Sequence, residues 1–279
     1  MTTKVRILVD NFPDDEHKEW ESEHGLSILI EQEGKRILCD MGASSLFWDN
    51  AEKMNCDLRN VTAAFVSHGH NDHSGGLKTF LERNGETPVY LSPRIFEQHY
   101  FSSRRGGKKR DISTDHLLKE AFQNRLKAVT GSTWLTPTVA MVKTVKFDHD
   151  CPKGNLFLTS EENGKEGLDV FTHELALAFV TGKGLIIVSS CSHNGALNIM
   201  DSCRLFTGVE SVRAFIGGLH LVDSNQVEEE VRHFLADKHK DYPDTLVYTG
   251  HCTGVQAREF LAGDEHVRFF HTGTILDFE

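Results

Sequence analysis

Residues 67–77 read SHGHNDHSGGL and put four potential metal ligands, His68, His70, Asp72 and His73, within six positions. In an extended segment residues i and i+2 point the same way, so His68 and His70 can grip one ion together. Gly69 between them allows close backbone approach. Asp72 and His73 follow after a change of direction and face a second position beside the first. Imidazole with carboxylate suits zinc, iron or manganese rather than calcium. Four ligands so close together crowd one tetrahedral ion. Two divalent ions, roughly 3.5–4 Å apart, are the better reading. Zinc is the first choice, with iron or manganese as alternatives.

Two ions need further ligands, and the sequence offers them where apolar runs end. His193 follows LIIVSS, His220 follows AFIGG and His251 follows LVYTG. A sheet whose strand ends converge brings such residues to one edge. The elements that must do this can be read from the pattern. TAAFVS (62–67) is a short buried strand that feeds the histidine loop, and a helix follows from Ser74 to about Leu81. LSILIEQ and KRILCD flank Gly34 as a hairpin, and ELALAFVTGKGLIIVSS is again strand, turn and strand. The unit of hairpin, polar loop and helix therefore occurs twice. This predicts an α/β fold of two similar βα layers facing one another in a single domain over residues 1–279. Residues 92–136 break the pattern, with a helix expected near Asp115–Lys127, and are expected to form an insertion or lid.

Net charge is −11, which argues against general nucleic-acid binding. No apolar run approaches the ~20 residues of a membrane helix, and MTTKVRILVDNF lacks signal-peptide anatomy, so the expected location is the cytoplasm. The six cysteines form no C-x-x-C pair and read as free thiols, Cys252 beside His251 among them as a buried one. RRGGKKR (104–110) is the one strongly positive segment. As a charge run its ordinary fate is a solvated loop, but Arg104, Arg105, Lys108, Lys109 and Arg110 are also candidates to attract an anionic substrate.

SHGHNDHSGG resembles the H-x-H-x-D-H signature of the metallo-β-lactamase-fold hydrolases, and the order Asp40, histidine loop, His193, strand-end residue, His251 is similar to that superfamily's motif order. The resemblance implies a four-layer αβ/βα sandwich with a binuclear site at the sheet edges. Its metal ligands would be His68, His70, Asp72, His73, His193 and His251, and Asp40 would be a carboxylate that holds the histidine loop. More narrowly, SEHGLSILIE, CDMGAS, SCSHNGALNIM, FIGGLHL and TGHCTG resemble the subfamily labelled similar to a methanopterin-pathway ribofuranosylaminobenzene phosphate synthase. That likeness raises Glu23 and His24 as contacts to metal or substrate. One departure stands out. Many superfamily members carry a metal-bridging Asp where FIGGLHL offers His220, so His220 is expected either to bind one ion or to contact substrate.

The expected activity is hydrolysis of a small ester, lactone or phosphate-bearing substrate, anionic ones among the candidates, by a hydroxide held in the binuclear site. Asp72 and His220 are the candidate catalytic residues. A nucleic-acid phosphodiesterase of the same superfamily and a non-catalytic metal-containing binding protein are the alternatives. The expected partner is thus a small molecule, with neither nucleic acid nor membrane, and the sequence does not specify an oligomeric state. Protein purified without chelator should contain about two metal ions per chain by elemental analysis. A value at or below one that added zinc, manganese or iron does not raise would contradict the binuclear reading.

Overall fold

The computed structural model describes residues 2–104 and 107–279. At its centre two seven-stranded sheets pack face to face. The first runs, edge to edge, through Ile275–Phe278, Thr3–Val9, Ser27–Gln32, Lys35–Cys39, Ala63–Val66, Val89–Leu91 and Leu126–Ala128. The second runs through Val267–Phe269, Leu246–Thr249, Val212–Ile216, Gly184–Val188, Leu175–Thr181, Val139–Lys143 and Thr133–Thr136. Each contains an antiparallel hairpin, with Ile28 opposite Cys39 in one and Leu177 opposite Val188 in the other. From each hairpin three parallel strands step outward. The two halves share their wiring as the repeated pattern predicts.

Burial on both faces explains why these strands read as unbroken apolar runs. In Gly184–Val188, Leu185 and Ile187 pack toward helices, whereas Ile186 and Val188 enter the core between the sheets. Leu46–Lys53 and Leu77–Arg83 cover the outer face of the first sheet through Phe47, Leu77 and Phe80. Ala196–Thr207, Val227–Asp241 and Val255–Leu261 cover the second through Ile199, Val231 and Leu261. The layers are therefore helix, sheet, sheet, helix.

Residues 92–136 are divided among three sheets. His99–Ser102 and Arg110–Asp111 join Leu158–Glu162 and Lys165–Leu168 in a four-stranded sheet. Leu126–Ala128 and Thr133–Thr136 instead extend the edges of the two large sheets. The helix expected near Asp115–Lys127 spans only Leu117–Ala121. The pairing of Leu126 with Val89 takes the rest of that segment into a strand. Among the described residues no helix is long and apolar enough to cross a membrane.

Phe179 is fully buried between the sheets. Phe179→Ala should cost about 3–5 kcal/mol of stability, the usual range for deleting a buried aromatic ring. Urea unfolding of the metal-free protein measures this, and a loss below about 1 kcal/mol would mean that the two sheets do not depend on this contact.

Candidate metal centre

Four of the loops that reach the site turn through left-handed backbone at a residue other than glycine. These are Asp40 (φ 59°), Ser192 (φ 59°), His220 (φ 49°) and His251 (φ 47°), each just beyond a strand of a large sheet. Such turns are uncommon and mildly strained, and they mark places where the surrounding fold dictates side-chain direction. After the strand Ala63–Val66 the histidine loop folds back into the short helix Asn71–Ser74. Gly75 and Gly76 let it lie directly on the Met41–Ser44 backbone. A Cβ at Gly75 would stand 2.2 Å from the Ala43 carbonyl oxygen, and one at Gly76 2.2 Å from that of Met41. This close packing accounts for the Gly-Gly pair behind the ligands.

His68, His70 and His193 each direct a ring nitrogen into one group, with all three ligand atoms within 4.8 Å of one another. The Nε2 atoms of all three are buried and have no hydrogen-bond partner. For two of them the other nitrogen explains this. Ser67 Oγ donates to Asp40 at 2.7 Å, so His68 Nδ1–H donates to Ser67 Oγ at 2.8 Å and leaves Nε2 with a lone pair. The His193 Nδ1–H donates to Asn155 Oδ1 at 3.0 Å, while the Asn155 amide donates to the His193 carbonyl at 2.8 Å. Burial, reinforced by the neighbouring rings, drives His68 and His193 well below the usual histidine range and His70 down to about 3. Three neutral imidazoles with orphaned, converging lone pairs suit a divalent cation.

A second group forms around Asp72, His73 and His251. The Nε2 atoms of His73 and His251 are 3.0 Å apart, and Asp72 oxygens lie 3.9 Å from His73 Nε2 and 3.6 Å from His251 Nε2. Two nitrogen ligands of one tetrahedral zinc stand about 3.4 Å apart, given bonds of about 2.05 Å. His73 Nδ1–H donates to Asp40 at 2.8 Å, and His251 Nδ1–H donates to Asn11 Oδ1 at 3.0 Å, which aims both Nε2 atoms inward. Burial opposes a charge on His73, but the carboxylates of Asp72 and Asp40 raise it to about 9. Burial likewise opposes ionisation of Asp72, but the rings of His73, His251 and His24 hold it well below the usual carboxylate range. A divalent cation satisfies the same negative charge. These residues therefore form two clusters of potential ligands for divalent metal.

The other candidates separate. Asn11 Oδ1 accepts from the Gly25 amide, so its Nδ2 donates to His24 Nδ1 at 3.1 Å and to the His251 carbonyl at 3.1 Å. His24 Nε2 stands 3.4 Å from the Asp72 carboxylate, at ion-pair distance, and groups with Asp72 and His251. The Glu23 carboxylate is turned to the Ala43–Ser44 turn, where it accepts from both amides and from Ser44 Oγ. His220 belongs to neither group of converging ligands. Its Nδ1 is walled off by Gly154, and its Nε2 lies 3.4 Å from Arg104 Nη1.

A cavity of about 270 Å³ is lined by residues of both groups and by Arg104, Arg110 and Asp111. Arg104 also pairs with Asp223. Lys109 pairs with Glu166 at 2.6 Å and covers the Phe101 ring, and Lys108 is exposed. Arg105 lies outside the described residues.

Several supporting residues carry no motif in the sequence. The segment 169–174 meets both ligand loops. His173 Nδ1 accepts from the Gly69 amide at 3.0 Å, so its Nε2–H donates to Asp169 at 3.0 Å and no lone pair remains for a metal. Phe171 stacks on the His193 ring at 4.2 Å, and Glu174 accepts from the amides of His193 and Asn194. Asp10, pushed up to about 7 by burial, accepts from the His251 amide at 2.7 Å. Only the density of acids and histidines in DVFTHE could have drawn attention to this support. Cys191 and Cys252 also line the cavity, and burial pushes the Cys191 thiol well above its ordinary range.

A family profile described as the metallo-beta-lactamase superfamily matches residues 22–139. A Methanocaldococcus jannaschii protein named 7,8-dihydropterin-6-methyl-4-(beta-D-ribofuranosyl)-aminobenzene-5'-phosphate synthase is 30% identical, over 99% of this chain and 96% of its own. A second protein of that organism, the uncharacterized MJ0448, is 27% identical, over 98% of this chain and 99% of its own. Among solved structures, one described as a metal-dependent hydrolase of the beta-lactamase superfamily aligns with a TM-score of 0.80, 24% identity and 98% coverage of both chains.

Asp40→Asn replaces an acceptor of three hydrogen bonds by an amide that can accept on one side only, so His73 or Ser67 must turn. Zinc affinity, measured by competition with a chromogenic chelator, should fall about 10–100-fold, as for other groups that orient a metal-binding histidine. Unchanged affinity in a folded variant would remove Asp40 from that role.

Proposed function

Because the chain belongs to the metallo-beta-lactamase superfamily, we propose that it is a hydrolase that works with two divalent cations on a small anionic substrate, a phosphate-bearing molecule foremost and an anionic ester or lactone otherwise. The observation that carries this reading is one small cavity lined both by His70, Asp72 and His193 and by Arg104 and Arg110. At about 270 Å³ it is near the lower end of small-molecule pockets. The M. jannaschii relative's name contains a 5'-phosphate, and a phosphate-bearing substrate is the part of that name that these cations favour.

The bound cations would supply a water acidified to near neutrality and an electrophile for the substrate oxygen under attack. The chain's own residues then divide the remaining work. Asp72 is held ionised, so at neutral pH it is a poor store for a proton but a good acceptor that orients one. His24 stands beside the Asp72 carboxylate on its His251 side and adds to the field that holds it ionised. Arg104, which donates to the neutral His220 ring at Nε2, faces the cavity and contacts the substrate's anionic end. Arg110 supplies a second positive charge that Asp223 does not engage.

Activity of the metal-loaded protein on phosphomonoesters, phosphodiesters, lactones and neutral esters tests this reading. Arg104→Gln and Arg110→Gln should each raise KM for anionic substrates about tenfold or more, the worth of one charge-assisted hydrogen bond. Neutral esters of similar size should be little affected, and Lys109→Gln, whose charge is spent on Glu166, should change neither. Equal losses on charged and neutral substrates would refute the anion contact. Absence of turnover across the panel with full metal content would refute the hydrolase reading.

A further inference from the structure

Resting on the two-cation reading, the geometry points to Cys191 as a thiolate ligand of the second cation, which completes an N2OS set with Asp72, His73 and His251. Cys191 Sγ lies 3.1 Å from His73 Nε2, on the same nitrogen that stands 3.0 Å from His251 Nε2. It is also within 4.8 Å of the ligand atoms of His251 and Cys252 in one group and of His68 and His73 in another, so it lies between the two positions on the His73 side. A nitrogen and a sulfur on one tetrahedral zinc are about 3.6 Å apart, from bonds of about 2.05 and 2.3 Å. The His73 lone pair is directed here by Asp40, so sulfur and nitrogen converge on one point. Cys191 is buried, and its loop is fixed on both sides: Gly218 N donates to the Ser190 carbonyl and Ser192 Oγ donates to the Gly218 carbonyl.

Cys252 is the other thiol of the site and stands in one group with Cys191 and His251, but its hydrogen bond distinguishes it from Cys191. Its S–H donates to the Cys191 carbonyl at 3.6 Å, which turns it to the backbone. Charge supports the assignment. Two divalent cations bring four positive charges, and Asp72 is the anionic member of the two ligand groups described above. A thiolate adds one more negative charge. As the sulfur–metal bond forms, the S–H bond breaks and its proton passes to solvent, with no change in oxidation state. A cation within bonding reach offsets the cost of burying the thiolate.

Two consequences follow from the ligand count. The second position has four protein ligands and is closed, whereas the first has His68, His70 and His193 and keeps one place open. The first position is then the one that can take water or substrate, and the second fills first. A soft sulfur ligand also selects zinc over manganese or magnesium at the second position.

Zinc-edge X-ray absorption of the full-length protein tests this. With one equivalent of zinc it should show about one sulfur per zinc at about 2.3 Å, and with two equivalents about half a sulfur per zinc. Cys191→Ser should abolish the sulfur signal, and Cys252→Ser should retain it. If Cys191→Ser does not fold, as judged by near-UV circular dichroism of the metal-free protein, wild type and Cys252→Ser decide the matter together. Two bound zinc ions with only nitrogen and oxygen neighbours would overturn the Cys191 assignment and leave the two-cation reading intact. A sulfur signal lost in Cys252→Ser would also overturn it. A protein that binds no zinc would overturn both.

Discussion

The centre depends on one buried carboxylate. Asp40 is inaccessible to solvent and sits at the end of a strand in left-handed backbone. A carboxylate there is costly unless its oxygens are well paired. Ser67 N, Ser67 Oγ and His73 Nδ1 all donate to it at 2.7–2.8 Å. The same bonds decide which nitrogen of two rings carries the proton, because His68 answers to Ser67 and His73 to Asp40 directly. One carboxylate therefore sets the lone pairs of a ligand in each metal group. Its reach across both groups is why the two cannot be understood separately.

The second half of the molecule answers with the segment 169–174. Glu174 holds the His193 loop through two backbone amides, while His173 holds the Gly69 amide between His68 and His70. The ligands of the first group come from different sheets, and this segment ties their loops to each other. Its own polar atoms are spent on that task. His173 uses both ring nitrogens and Asp169 accepts from His173 and from the Phe171 amide. The group His70, Asp169 and His173 is thus a support for the metal centre rather than a third metal position.

Charge is distributed unevenly around this arrangement. The chain carries a net −11, yet the cavity lining includes Arg104 and Arg110 beside Asp72 and Asp111. The cations of RRGGKKR do not act as a block, since Lys109 is committed to Glu166 and Arg104 is shared with Asp223.

The sequence by itself determined the ligand-bearing motif, the twofold hairpin-loop-helix wiring and the strand-end histidines. These are local facts, carried by spacing and by hydrophobic period, and they survive whatever the rest of the chain does. That His68, His70, Asp72, His73, His193 and His251 meet at one sheet edge was legible for that reason. The tertiary structure alone decided the rest. Whether His24 offers a lone pair or a proton depends on Asn11, whose own amide is oriented by Gly25 and His251. Whether Glu23 faces the cavity depends on the Ala43–Ser44 turn, and whether Cys191 is packing or ligand depends on a ring fixed by Asp40. Residues 92–136 were distributed among three sheets because edge strands find partners far away in the chain. Tautomers, side-chain direction and edge pairing are set by contacts between residues tens to hundreds of positions apart, and no local spacing encodes them.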